Sequence, residues 1–436
     1  MQKKVLKNAG WIVGCKVVKA ILTLIVTAIT TRYLGVEKYG LISYAAGLVA
    51  FVMPIMQLGL NSTMVHEIID RPDDEGKVVG TVIGMTGVSS LLCILGIISF
   101  SMIANAGETD TIIVCAVYSA MLLFHSFEMI HYWFQSKLMS KYSSMAMLFS
   151  YVAVTVFQVV LVILKADVYM FAISYSLDYF LIAVILTIVF KKKCTQKLAF
   201  SFSLAKQMFS VSKFYIVSNL MVAIFAQTDK IMLKLMVGNA QTGIYSAAYT
   251  CALMANFVFA AIIDSMRPDI FNAKKEGNQQ LFENRMSELY SVLIYFSVIM
   301  CVAITLLAPI VIKVMCGDGY APSIDVLRVS VWMTVFSYIG SARSIWILAE
   351  NKQKYLWILN LSGAVMNVVL NYLLIPTMGA MGASIASVAT QLFVNVIIDF
   401  IIPPMRRNSL ILFKGLNPKY IKNLFSAFGK NTKEKQ

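Results

Sequence analysis

The sequence predicts an all-α integral membrane fold: twelve transmembrane helices in two parallel six-helix lobes around a central cavity. Three observations lead there. Of 436 residues, 59% are hydrophobic and only 14% charged, against about 25% charged in soluble globular domains. The mean hydropathy is +0.75, and the apolar residues fall into long runs near the ~20 residues that a spanning helix needs. Lys and Arg are segregated among the connections between those runs. A soluble enzyme is excluded.

Runs bounded by charges, Gly, Pro and Asn place the spans at about 9–31, 41–60, 78–103, 111–133, 143–164, 169–190, 214–236, 244–264, 287–312, 325–348, 356–375 and 382–402. The first run exceeds a signal-peptide core and lacks a small-residue cleavage site, so it is expected to be retained. An even number of spans puts both termini on one side. Of the 37 Lys and Arg residues, 27 lie on the terminal side, 4 on the opposite side and 6 within spans. Positive residues stay inside, so the chain is expected in the cytoplasmic membrane with both termini cytoplasmic.

The net charge of +15 is dispersed along the connections and the tail, which fits topology and not nucleic acid. Seven cysteines lie mostly inside apolar runs without C-x-x-C spacing and act as small packing residues. No metal site is expected: His125 and His131 are six apart and share a helix face poorly. Residues 405–436 form a basic tail. In it Arg406, Arg407, Lys414, Lys419 and Lys422 alternate with Tyr420, Ile421, Leu424, Phe425 and Phe428. That pattern suits an amphipathic helix on an anionic lipid surface.

The halves repeat. Gly35, Gly40, Ser43 and Ala45 recur as Gly238, Gly243, Ser246 and Ala248, 203 residues later. Trp133, Lys141 and Tyr142 recur as Trp346, Lys354 and Tyr355, 213 residues later. The expected division is a first lobe over 1–200 and a second over 201–404. Six spans per unit make the repeats parallel, related by an axis along the membrane normal.

Charges inside spans are costly and usually face a wet interior. Lys16, Lys19, Thr23, Thr27 and Thr30 form one stripe on span one, with Lys16 about 10 Å from the cytoplasmic end and Lys19 near the midplane. Asn219, Gln227, Lys230 and Lys234 form another on span seven. Arg343 adds a cation in span ten, about 9 Å from the cytoplasmic end. Lys16, Lys19, Lys230, Lys234 and Arg343 are therefore the candidate cationic wall of a substrate cavity, and Thr23, Thr27, Asn219 and Gln227 its polar wall. The acids Asp178, Asp229, Asp264 and Asp399 serve as counter-ions or as proton or sodium carriers, two roles that the residues alone leave open. Lys234 and Arg328, near span ends, also suit snorkelling.

Several short motifs resemble a known family. Arg32-Tyr33-Leu34-Gly35 with Tyr39-Gly40, Trp133-Phe134-Gln135 with Lys137 and Lys141, and Thr228-Asp229-Lys230-Ile231-Met232-Leu233 leading to Gly243-Ile244-Tyr245-Ser246-Ala247-Ala248-Tyr249 are similar to signatures of bacterial O-antigen or capsule repeat-unit flippases. Asn371 to Ile375, Pro376, Gly379 and Gly382-Ala383-Ser384-Ile385-Ala386 resemble their connection between spans eleven and twelve. The resemblance implies the multidrug, oligosaccharidyl-lipid and polysaccharide exporter superfamily, alternating access, and an undecaprenyl-diphosphate-linked oligosaccharide as cargo. It also implies work beside a polysaccharide polymerase and a chain-length regulator, as a monomer among membrane lipids. No nucleotide loop G-x-x-x-x-G-K-[ST] occurs, so no cofactor is expected and a proton or sodium gradient would drive transport. The alternatives are a cation-coupled drug or metabolite antiporter, a lipid II flippase, which typically has fourteen spans, and a polymerase or ligase, which would need a larger outer loop.

Overall fold

The computed structural model describes the backbone of residues 2–420 and the side chains from residue 11 onward, except 12, 13 and 16. It is all-helical, with no strand among the described residues. The α-helices are α1 Gln2–Met56, α2 Leu60–Asp70, α3 Glu75–Ala104, α4 Thr109–Ser119, α5 Met121–Glu128, α6 Ile130–Ser136, α7 Ser140–Ile163, α8 Val168–Lys193 and α9 Phe202–Val237. They continue as α10 Asn239–Ala252, α11 Asn256–Lys275, α12 Gln279–Met315, α13 Ser323–Ser330, α14 Met333–Ala349, α15 Leu356–Met378, α16 Ala380–Leu392, α17 Ile398–Ile401 and α18 Arg406–Gly415. A π-helical turn, Phe393–Ile397, joins α16 to α17.

Among the described residues nine helices are long and apolar enough to cross a membrane, or ten if the bent pair α10 and α11 is one span. This is a multi-pass membrane protein. The count differs from the expected twelve for physical reasons. The first two expected spans both fall within α1, which is two helices meeting at a kink at the non-helical Gly35. The tenth is split between the short helices α13 and α14.

The structure divides into two compact units, Met1–Gly243 with Met315–Gly319, and Ile244–Val314 with Tyr320–Gln436. The first unit takes in α9, which the expected division at residue 200 places in the second lobe.

In the first unit, α1 packs on α7 and α9, and Leu60, Met64, Trp133, Phe134, Phe190 and Met208 share one buried cluster. Trp133 is where burial and polarity meet. Its ring packs edge-on against Phe190 while its indole N–H donates to Glu75 at 2.7 Å. Lys137, one turn on, completes the pair with Glu75. A buried carboxylate needs such partners, which accounts for the Trp133 to Lys137 motif.

The connection from α8 to α9 is strapped to α3. Gly76, Gly80 and Gly84 present a bare stripe on which residues 196–200 lie, and a Cβ at Gly80 would stand 2.5 Å from the Ala199 carbonyl oxygen. The strap is fixed by Gln196 accepting from the Gly76 N–H at 2.9 Å and donating to the Pro72 carbonyl at 3.0 Å. The Ser201 N–H donates to the Thr81 hydroxyl at 3.0 Å, and the Ser201 side chain then caps α9.

Two breaks share one geometry at the repeat offset. Gly35 has φ 68° and ψ 178°, and Gly238 has φ 91° and ψ −178°, a conformation open essentially to glycine. Five residues beyond each, Gly40 and Gly243 meet. A Cβ on Gly40 would strike the Asn239 carbonyl, and one on Gly243 the Val36 carbonyl, so the contact is reciprocal about the two repeats.

In the second unit, α15 lies on α16, and α16 on α13 and α14, through the fully buried Ala383 and Ala386 and the bare Gly382. Helix α18 docks on α12: Tyr290 donates to Asn408 at 2.8 Å, Ser287 to the Ile411 carbonyl at 3.2 Å, and Arg407 and Lys414 flank Glu283. Leu410 and Phe413 stay exposed. Of the expected tail helix, Tyr420 is described, whereas Ile421, Lys422, Leu424, Phe425 and Phe428 lie outside the described residues.

Gly243→Ala is expected to destabilise the protein by about 1–3 kcal/mol through overpacking against backbone. Gly87→Ala, where a Cβ meets nothing, is expected to leave stability unchanged or raise it. Thermal unfolding in detergent compares the two.

Candidate functional site

The charged residues within spans separate into settled pairs and a group held near one another in the first unit. The deepest settled pair is Arg343 with Asp399, at 3.2 Å, with 5% and 1% of their surfaces exposed. It is embedded in a network: Asn408 donates to the other Asp399 oxygen at 2.8 Å, and Tyr290 donates to Asn408. Arg343 also donates to the Val394 carbonyl, in the π turn. A π turn displaces backbone hydrogen bonds, and here a guanidinium meets one of the carbonyls. Asn395 from the same turn sits against the bare Cα of Gly340. The geometry makes this pair a structural brace between α14 and the chain after α16.

Lys234 is the second settled cation. It is 5% exposed, and its ammonium donates to Glu108 at 2.5 Å. Thr111 also donates to Glu108, at 2.6 Å. The hydrogen bond from Lys234, and then that from Thr111, hold the Glu108 carboxyl below the usual carboxylate range. Beside them Tyr44 donates to Asn105 at 2.9 Å. The end of α9 is thus pinned to the connection between α3 and α4, and Lys234 has a counter-ion where the sequence suggested snorkelling.

A second group of charges in the first unit gathers around Lys19. Its ammonium lies 5.0 Å from the centre of the Tyr151 ring, a cation–π distance, and within electrostatic reach of Asp178 and Glu128. Thr23, one turn on, bonds back to the Lys19 carbonyl at 2.8 Å and lies within hydrogen-bonding reach of Tyr151. Asp178 accepts from Ser150 at 2.6 Å.

Next to it runs a polar chain that sequence inspection did not single out. Asn61 donates to the Gln57 carbonyl oxygen at 3.1 Å, and the Gln57 amide meets His125 Nε2 at 3.0 Å. His125 Nδ1 lies 2.5 Å from Glu128. With the Gln57 oxygen accepting from Asn61, its NH2 donates to Nε2, which places the imidazole proton on Nδ1, facing the carboxylate. The signal was present: His125 and Glu128 are three apart on one helix face, inside an apolar span.

The other expected residues are dispersed. The Lys230 stem packs on Gly47 of α1, its Cβ 3.6 Å from where a glycine Cβ would be. Asp229 is 4% exposed, while Gln227 is half-buried and Asn219 exposed. Thr27 is half-buried and its carbonyl accepts from Thr31. Asp264 is exposed and pairs with Arg267 at 3.2 Å on its own helix. The Lys16 side chain lies outside the described residues. The structure therefore brings Lys19, Thr23 and Asp178 into one group, leaves Lys230 on another part of the same unit, and binds Lys234 and Arg343 to acids.

A helical membrane protein with polar and charged groups held inside its bundles is the class defined by this fold and site. A family model described as polysaccharide biosynthesis protein matches residues 5–274, and the chain belongs to that family. No curated protein sequence matches it. Among solved structures, the chain is similar to an inward-facing multidrug resistance MATE family transporter of the MOP superfamily, with TM-score 0.68 and 15% identity over 91% of this chain and 96% of that one. It is also similar to the lipid II flippase MurJ in an inward closed conformation, with TM-score 0.66 and 16% identity over 92% and 90%. The all-helical membrane fold expected is the one observed, with nine or ten spanning helices among the described residues in place of twelve.

Two outcomes test the settled pairs. Arg343→Leu is expected to cost about 3–5 kcal/mol by leaving Asp399 uncompensated, and Arg343→Leu with Asp399→Leu to recover most of it; thermal unfolding of both variants decides. The depressed carboxyl of Glu108 stabilises the folded state above its unfolded pKa of about 4.3, and that contribution is lost as pH falls through the lower folded value. Unfolding temperatures measured against pH should therefore converge for the wild type and Glu108→Gln in acid and diverge toward neutrality.

Proposed function

We propose that this protein is a flippase that carries undecaprenyl-diphosphate-linked oligosaccharide repeat units from the inner to the outer leaflet of the cytoplasmic membrane, for surface polysaccharide synthesis. The observation that carries the proposal is membership of the polysaccharide biosynthesis family in a chain with the MOP fold. A polysaccharide precursor built on a lipid inside the cell has to cross, and its diphosphate cannot enter hydrocarbon unaided.

Lys19 and Lys230 are the cations proposed to meet that diphosphate. Lys234 and Arg343, the other candidates of the cationic wall, form ion pairs with Glu108 and Asp399. Thr23, Thr27, Asn219 and Gln227 offer hydroxyl and amide groups to sugars. Two parallel lobes from duplicated halves, with cytoplasmic termini, complete the proposed architecture; the matching breaks at Gly35 and Gly238 support the duplication.

Coupling is assigned to protons. The chain Asn61, Gln57, His125, Glu128 ends on an imidazole facing a carboxylate, the only side-chain type with an ordinary pKa near neutrality beside an acceptor. Lys19 lies near Glu128 and Asp178, so a proton arriving on either acid weakens its hold on the ammonium and frees that cation for the diphosphate. This links proton uptake to cargo binding through one side chain.

The test is translocation of lipid-linked oligosaccharide by the purified protein in sealed vesicles under an imposed pH gradient. Lys19→Ala and Lys230→Ala are each expected to lower the rate about tenfold, equivalent to ~1.4 kcal/mol, with normal insertion, and Glu128→Gln to remove the response to the gradient. Full activity in all three variants refutes the assignment.

A further inference from the structure

The second unit has a basic cavity that the candidate site does not use. Its volume is about 490 Å³, within the range that holds a ligand head, and it lies where α18 docks on α12. Arg407 and Lys414 line it, two turns apart on one face of α18, together with Glu283 of α12. Arg407 meets Glu283 through Nε and a terminal nitrogen, each at 2.7 Å, and Lys414 meets the other carboxylate oxygen at 3.2 Å. Two cations therefore share one carboxylate, and the lining keeps one net positive charge. Their side chains are 53% and 49% exposed. A guanidinium and an ammonium together carry more N–H groups than Glu283 takes up, so donors remain for a guest. Asn417 and Tyr420 add an amide and a phenol to the lining.

The rest of the lining is apolar and continuous with the surface of a spanning helix. Leu410 and Phe413 line the cavity, and both stay exposed. The last helix long and apolar enough to cross the membrane is Ala380–Ile401, and its end presents Phe400 and Ile401, also exposed. The Phe413 ring lies 5.6 Å from the Phe400 ring. Since α18 begins five residues after that span ends, the cavity stands at the level where the span leaves hydrocarbon. A basic groove with an apolar lip at that level matches a phospholipid with an anionic head. A soluble anion would leave Leu410 and Phe413 uncovered, and a lipid without net charge would leave the positive lining uncompensated.

We propose that this cavity is a binding site for the head group of an anionic phospholipid, whose phosphate is held by Arg407 and Lys414 while its acyl chains pass Leu410 and Phe413. Arginine offers phosphate a planar fork and lysine a point charge. Glu283 stays in place, orients both cations and cancels one of their charges. The effect of the lipid reaches further than the cavity, because α18 also carries Asn408, which donates to Asp399 of the Arg343 pair at 2.8 Å. A bound lipid holds α18 over that pair. This site is independent of the cargo assigned above.

The test uses the full-length protein with a photoreactive benzophenone side chain in place of Leu410, in nanodiscs of phosphatidylglycerol and phosphatidylcholine in equal amounts, with the adducts identified by mass spectrometry. Adducts are expected to favour phosphatidylglycerol about fivefold, the effect of one net charge at a lipid surface. Lys414→Gln, which cancels that charge, is expected to bring the ratio to about one, and Glu283→Gln, which doubles it, to raise the ratio about fivefold again. Lys414→Arg is expected to preserve the preference; it differs from Lys414→Gln in charge at one half-exposed position, so that comparison holds whatever Glu283→Gln does to folding. Lys419→Gln removes an exposed cation of the same segment that does not line the cavity, and is expected to leave the ratio unchanged. Adducts that mirror the bilayer show a helix that merely touches lipid, and an equal loss in Lys419→Gln shows diffuse surface charge. Either result overturns the proposal, as does a lack of lipid adducts or a preference abolished by millimolar inorganic phosphate.

Discussion

A charge in hydrocarbon has to find its partner inside the protein, because the lipid supplies none. Much of the arrangement described here follows from that requirement. Arg343 and Asp399 are both interior, and the helices bearing them are drawn together with the π turn and with α18 through Tyr290 and Asn408. Lys234 reaches out of a membrane helix to a carboxylate in a connection, Lys19 lies over an aromatic face, and Glu75 is closed by a tryptophan and a lysine. The ion-paired cations and the group around Lys19 obey one rule.

Much of the fold was legible because hydrocarbon imposes a coarse code. Apolar runs of the right length, and cations sorted by side, announce spanning helices before any packing is known. Two glycine breaks were legible as well, since glycines needed for a backbone break or a bare crossing cannot be replaced cheaply, and Gly35 and Gly238 share one geometry. The number of separate helices was harder to read. Sequence marks where a chain can leave the membrane, and the kink at Gly35 within α1 falls between the first two expected spans, whereas the split of the tenth into α13 and α14 had no such mark.

The site was legible as residue types and much less as pairings. Lys19, Lys230, Lys234 and Arg343 look alike in sequence, because each is a cation in an apolar run. What separates them is a partner more than fifty residues away in the chain: Glu108 for Lys234, Asp399 for Arg343, Tyr151 for Lys19. Asp264 resembled the other membrane acids, yet it is exposed with Arg267 one turn on. His125 shares a face poorly with His131, and its companions are Glu128 on the same face and Gln57 from the chain after α1.

The strap over Gly76, Gly80 and Gly84 fixes the connection between two long helices. Such a connection is usually pictured as slack rope. Here the rope is glued down along its length, at Gln196, Ala199 and Ser201, and the helix that follows is tied at its far end by Lys234. From the strap to the end of α9 the chain is therefore held within the first unit.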